Sequence, residues 1–191
     1  MNKKLALGKI AKEIEKCKTC IIGKSGMSVP GEGNSDADIL FIGEAPGKKE
    51  AASGRPFIGR SGQLLRSLIR EVGLKEEDVF ITSPVKYLPN GPDGTPGGTP
   101  KPSDVAHGRI HLMKQFDIIQ PKIVVLLGAV ASLGVLEMKI PVKSEHGKVI
   151  EKDGLKYLVT LHPAAALRFP PLKLLIKEDF EKLKKIILSK K

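Results

Sequence analysis

The sequence predicts an α/β fold: a three-layer α/β/α sandwich around a central four-stranded, mainly parallel sheet. Three observations predict it. Four short runs, 39–42, 79–82, 123–127 and 157–161, are rich in Ile, Val, Leu or Phe, and each ends in turn or polar residues, as strands buried on both faces do. Stretches with apolar residues at helical spacing separate these runs. Strands alternating with helices build a parallel sheet covered on both sides.

The elements follow in order. The chain opens on lysines with scattered apolar residues, without the continuous apolar block of a signal peptide. Residues 23–36 form a Gly-rich loop before the first strand. After Gly62, the residues Leu65, Leu68, Ile69 and Val72 recur at helical spacing, and Gly73 supplies a stop. Residues 88–102 hold five prolines and four glycines, a long loop of the kind that is often functional. Ser103 can cap a helix with an apolar face of Val105, Leu112, Phe116 and Ile119, ended by Pro121. The tail from Lys173 puts Ile176, Phe180, Leu183 and Ile187 on one stripe with lysines opposite. Without repeats or a clear linker, the whole of 1–191 reads as one domain.

Composition narrows the partners. A chain of 191 residues with 41% hydrophobic and 28% charged residues can bury a real core. No apolar run approaches the roughly 20 residues that cross a bilayer, so the expectation is a cytoplasmic protein without membrane contact, acting as a monomer. The formal charge of +11 attracts polyanions, nucleic acid first among them. Aromatics at 4% exclude sheet-wide base stacking. Cys17 and Cys20, in one Cys-x-x-Cys, are the two cysteines of the chain; alone they supply half of a four-thiolate site.

In open α/β sheets, ligands bind beyond the carboxyl ends of the strands. There the sequence places Gly43-Glu44-Ala45-Pro46-Gly47 after the first strand and Ser83-Pro84-Val85-Lys86-Tyr87 after the second. His162-Pro163-Ala164-Ala165-Ala166-Leu167-Arg168 follows the fourth, and Gly54-Arg55-Pro56-Phe57-Ile58-Gly59-Arg60-Ser61-Gly62 lies between. Each feature alone has an ordinary reading: Glu44 as a turn residue, His162 as a structural imidazole, Phe57 as core. A carboxylate, an imidazole and an aromatic at one rim of one sheet make a candidate active site.

Taken together, these segments resemble the uracil-DNA glycosylase superfamily, most closely family four, the iron–sulfur-containing enzymes of thermophilic bacteria and archaea. The resemblance runs from Cys17 to about Leu175. It implies excision of uracil, or of another deaminated base, from DNA by cleavage of the glycosidic bond, with no cofactor in the chemistry. It also implies residue roles. Phe57 would stack on the flipped base, and His162 would hydrogen-bond the departing O2. Backbone N–H groups near Glu44 and Ala45 would add donors, and Gly43 would stand with Ala45 among the base-binding residues. Glu44 would stabilise the cationic sugar or hold the attacking water. Ser83 would face the base edge. Leu167 and Arg168 would enter the minor groove, and Lys86, with Lys48, Lys49 and Arg60, would contact phosphates.

Two departures qualify the resemblance. The family holds a [4Fe–4S] cluster on four cysteines, of which Cys17 and Cys20 match while Tyr87 and Gly108 stand at the other two positions. The expectation is therefore a remnant site without the cluster; a partial zinc site using His107 stays open. The family also places an Asn where this chain has Ser83, which predicts weaker or broader base selection. A non-catalytic reader of uracil-containing or abasic DNA remains the alternative.

Other motifs weigh less. Residues 54–61 nearly spell a Walker A loop, but Arg60 replaces its lysine and no strand leads directly into it. Gly108-Arg109-Ile110-His111 resembles the loop histidine of a related group that traps uracil-DNA covalently, yet the spacing puts His111 on a helix face. His146 reads as a surface-turn residue. From Arg168 to Lys191 there are eight Lys or Arg against three Asp or Glu, partly a solvated helix face.

Overall fold

The structure, a computed structural model, describes residues 2–189. In chain order its elements are α1 (Lys3–Lys16), α2 (Lys18–Ile21), β1 (Lys24–Ser25), β2 (Glu32–Gly33), β3 (Ile39–Ile42), α3 (Lys48–Ser53), α4 (Arg60–Glu71), β4 (Val79–Thr82) and β5 (Leu88–Pro89). There follow α5 (Pro102–Ile119), β6 (Ile123–Leu127), α6 (Ala129–Leu136), α7 (Val142–Glu145), β7 (Val149–Lys152), β8 (Leu155–Thr160), α8 (Pro163–Arg168) and α9 (Leu172–Leu188).

The four expected strands form the parallel heart of a six-stranded sheet ordered β2-β4-β3-β6-β8-β7, with β2 and β7 added antiparallel at the edges. Side chains alternate across it with period two. Leu40, Ile42, Phe80, Val124, Leu126 and Val159 enter one apolar layer with Leu112 and Ile119 of α5. Ile39, Phe41, Val79, Ile81, Val125 and Leu158 enter the other, against Leu65, Leu68 and Ile69 of α4 and Ile176, Phe180 and Leu183 of α9. Both faces are covered, which is why the strands read as unbroken apolar runs.

Four details differ from expectation for local reasons. The fourth strand begins at Leu155 because β7 and β8 make a hairpin through Asp153 and Gly154, both at positive φ (52° and 77°), as a two-residue type I′ turn requires. Lys101, not Ser103, caps α5: Pro102 takes the first helical position, and the Asp104 carboxylate accepts the Lys101 N–H at 2.9 Å. In the basic tail, Asp179 is buried and accepts from Thr160 Oγ1 at 2.6 Å, so it does not belong to a solvated face; His146, in a partly exposed turn as expected, places Nδ1 3.0 Å from it. Lys190 and Lys191 of that tail lie outside the described residues. Finally, the Lys-rich opening is a helix: α1 buries Ile10 and Ile14 beside α5.

Because β4, β3, β6 and β8 run in register, their following residues converge on one rim. Residues 43–47, 83–87, 128 and 161–163 meet there. No helix among the described residues is long and apolar enough to cross a membrane.

Candidate functional site

At this rim lies a cleft of about 300 Å³, lined by Glu44, Ala45, Pro46, Phe57, Ser61, Ser83, His162 and Ala164, with Gly97 and Gly98 of the long loop in its wall. Glu44, Phe57, Ser83 and His162, drawn from four segments, are thus brought together. Gly43 lies outside the lining, behind Phe57: a Cβ on it would stand 2.5 Å from the Phe57 ring, and its N–H already donates to Thr82 O at 2.8 Å. It is a backing for the aromatic instead of a donor to ligand. The Glu44 and Ala45 N–H groups have no partner among the described residues.

Phe57 is held under constraint. Its φ is 52°, uncommon for a non-glycine residue and costing about 1–3 kcal/mol. Arg66 Nε donates to its carbonyl at 3.3 Å, and Arg66 is itself tied to Glu32 and Glu76. The next two backbone N–H groups, of Ile58 and Gly59, donate to Glu50 Oε1 at 3.0 and 2.9 Å. Glu50 is a cleft-lining carboxylate absent from the expected site. Its role is architectural, and only its position just after the Gly-Pro turn of 43–47 hinted at it.

His162 has a defined tautomer. Its Nδ1 accepts from the Ala164 N–H at 3.1 Å, across the first turn of α8; Nε2 therefore carries the ring proton and is a donor. Burial pushes its pKa down to about 4, so the ring is neutral at pH 7. It stands 5.9 Å from the Phe57 ring, centroid to centroid, tilted 32°. Glu44 is half-buried, and desolvation raises its pKa. The cleft thus offers an aromatic face, a neutral N–H donor and a carboxylate in a partly dehydrated space.

Ser83 lines the same cleft, but its hydroxyl proton is committed: Oγ donates to Val85 O at 2.8 Å. Toward a ligand it presents lone pairs only.

On the surface, at the far end of α8 from His162, Leu167 is 40% exposed and Arg168 lies over the Phe169 ring at 5.4 Å. Lys48, Lys49 and Arg60 are exposed near the cleft. Lys86 is not. It is 2% exposed, with Nζ on Pro30 O (3.2 Å), Thr82 Oγ1 (2.6 Å) and Gln115 Oε1 (2.9 Å), which corrects its expected place among the phosphate contacts. Burial pulls its pKa down to about 7, while the three acceptors favour the charged form. Lys86→Met removes three charge-assisted bonds from this network, which keeps only the links of Thr82 and Gln115 with each other and with Pro30 O, and is expected to destabilise the protein by about 1–3 kcal/mol in denaturant melts. The salt dependence of DNA binding should not change; a shallower salt slope at wild-type stability would restore the phosphate contact.

The two cysteines are not isolated. Cys17 caps α2, Cys20 ends its first turn, and His107 and His111 project from one side of α5; one ligand atom from each of the four lies within 4.8 Å of the others. His111, expected on a helix face, is on a helix but buried at 7% exposure. A cluster on four thiolates does not fit. Tyr87 fills its position with a buried ring whose hydroxyl bonds Ile14 O and Glu15 O. At Gly108 a Cβ would meet Pro84 O at 2.0 Å. The four gathered side chains nevertheless form a set able to hold a metal ion.

Comparison with known proteins bears on the family. A family model described as "Uracil DNA glycosylase superfamily" matches residues 30–186. The chain is 44% identical to the Type-4 uracil-DNA glycosylase of Saccharolobus solfataricus over 95% of its own length and 86% of the relative's. It is 37% identical to the Type-4 uracil-DNA glycosylase of Sulfurisphaera tokodaii over 97% and 87%. With that of Thermotoga maritima the identity is 38% over 93% of both chains.

Proposed function

The chain belongs to the uracil DNA glycosylase superfamily, and from that premise we propose that it hydrolyses the N-glycosidic bond of uracil in DNA, leaving an abasic site. The observation that carries the reading is the meeting of Phe57, Glu44 and the neutral, proton-bearing Nε2 of His162 in one cleft.

A base within a duplex must be flipped out before its glycosidic bond is reachable. Phe57 offers the face on which it stacks. As the bond breaks, the sugar gains oxocarbenium character and the base gains negative charge on O2. The His162 Nε2–H and the free Ala45 N–H are donors fixed in advance for that charge. The Glu44 carboxylate opposes the developing cation or orients water. Leu167 and Arg168 would fill the gap left in the stack.

The reading supports glycosylase chemistry without strand cleavage. Lys86, the amine with the lowered pKa, has its Nζ enclosed by three acceptors and does not line the cleft, so it is not poised as a Schiff-base nucleophile. The cleft is lined completely by this chain, so the proposed chemistry needs no second copy of it.

The committed hydroxyl of Ser83 favours a second feature, broader base choice. An acceptor-only group accepts uracil N3–H but makes no bond to O4. It therefore accommodates any deaminated base with a ring N–H at that edge, hypoxanthine included. Ser83→Asn is expected to raise the ratio of uracil to hypoxanthine excision by roughly tenfold or more. An unchanged ratio in single-turnover assays would remove Ser83 from base reading.

The test of the function is incubation with an oligonucleotide carrying one uracil, followed by scoring of alkali-labile sites. Cleavage supports the enzyme. Uracil-dependent binding without cleavage would instead establish a non-catalytic reader.

A further inference from the structure

We infer that Cys17, Cys20, His107 and His111 form a mononuclear zinc centre that takes the place of an iron–sulfur cluster in this chain and staples its N-terminal segment to α5.

The donor set is the first ground. Two thiols and two imidazoles compose one of the common four-protein-ligand sites for zinc, and the local spacings, Cys-x₂-Cys and His-x₃-His, are those such sites use. Each spacing has a structural cause. Cys17 sits at the cap of α2 and Cys20 one turn on, the Cys20 N–H reaching Cys17 Sγ at 3.4 Å. His107 and His111 are i and i+4 on α5, hence on one face of it.

Geometry is the second ground. Bonds of about 2.3 Å to sulfur and 2.0–2.1 Å to nitrogen set tetrahedral ligand–ligand edges of roughly 3.3–3.8 Å. Cys17 Sγ and His107 Nε2 are 3.2 Å apart, and all four ligand atoms fall within 4.8 Å of one another. No separation exceeds the longer tetrahedral edge by more than about 1 Å, a gap that side-chain rotation can close.

Burial is the third. His111 is buried and its Nδ1 has no hydrogen-bond partner. An unpaired buried polar atom is destabilising, and buried polar side chains without partners are rare enough to require an explanation such as an unrecorded ion. A cation at the centre of the four would engage the His111 ring.

The replacement of the family's ligands points the same way. Tyr87 and Gly108 are built into the packing, one as a ring hydrogen-bonded to the end of α1, the other by backbone contact with Pro84. The lost thiolates are thus not merely missing: their places are occupied, while two histidines on the adjoining face of α5 point to the same cysteines. Four protein ligands leave no open position, so the centre is structural. It ties α2 to the helix whose Gly108 touches Pro84, the residue after Ser83, and so braces the cleft from behind.

The test is metal analysis of the full chain, purified with reductant from zinc-supplemented medium. About one zinc per chain, without stoichiometric iron or acid-labile sulfide, is expected. His107→Ala combined with His111→Ala should lose that zinc, whereas His146→Ala should keep it. If the double variant does not fold, Co²⁺ titration of metal-stripped wild type serves: a tetrahedral thiolate–cobalt spectrum saturating at one equivalent supports the site. Iron with sulfide, a Cys17–Cys20 disulfide in the reduced preparation, zinc retained by the double variant, or no cobalt spectrum would each overturn it. None of these readouts depends on glycosylase activity, so failure here leaves the proposed function standing.

Discussion

Replacing His162 with alanine is expected to lower the rate of uracil excision by about 10²–10³-fold, the usual effect of removing one fixed donor to a developing anion. Affinity for uracil-containing DNA should change little, because stacking and phosphate contacts lie elsewhere. Single-turnover excision and equilibrium binding measured side by side separate the two; a parallel loss of both would make His162 a binding residue. The pH profile carries a further expectation. With a pKa near 4, the imidazole is neutral throughout the working range and gives no inflection at the ordinary value of about 6.5. The acidic limb belongs to Glu44, whose pKa burial raises; activity falls as pH drops through that value, and the limb should vanish in Glu44→Gln. A limb that survives there but disappears in His162→Ala would reverse the assignment. Stability follows the same group with a definite sign. The folded-state pKa of His162 lies below its unfolded value, so the unfolded chain binds the proton first. The contribution is full above about pH 6.5 and is lost as pH falls toward 4.

Gly62→Ala is expected to be nearly as damaging, without touching any chemical group. A Cβ at this position would lie 1.9 Å from Phe57 O and 2.0 Å from its carbonyl carbon, atoms of backbone that cannot swing aside. Phe57 would have to give up its left-handed conformation or move bodily, together with the Arg66 and Glu50 contacts that hold the loop. Displacing a positioning residue by about 1 Å costs on the order of 100-fold in rate, and a lowered Tm should accompany it. Wild-type excision in this variant would show that Phe57 does not need its present place.

Much of this was legible in the sequence because both faces of the sheet are covered. Burial on both sides forces unbroken apolar runs, and three of the four strand ranges coincide with the observed ones. The rim residues Glu44, Phe57, Ser83 and His162 could be placed together because strands in parallel register must end on one side. What stayed hidden depended on contacts between distant segments. Lys86 reads as a surface cation because its cradle comes from Pro30, Thr82 and Gln115, which no local pattern links. His111 reads as a lone helix-face residue because its neighbours Cys17 and Cys20 are some 90 positions away, brought close only when α1 packs on α5. The two-residue strand β2 is too short for periodicity to register. The Asp153-Gly154 hairpin was visible in principle, since that dipeptide is a strong turn signal.

The contact between the Ala164 N–H and His162 Nδ1 separates two events that many enzymes couple. A ring whose one nitrogen is already engaged as an acceptor, and whose other nitrogen is a poor acid at neutral pH, cannot relay a proton across itself. Bond rupture and protonation of the departing base are then distinct in time: the base leaves as its conjugate anion and becomes neutral only on meeting bulk water. Under the proposed reading, the enzyme works by making a good leaving group comfortable, with no part in finishing its acid–base chemistry.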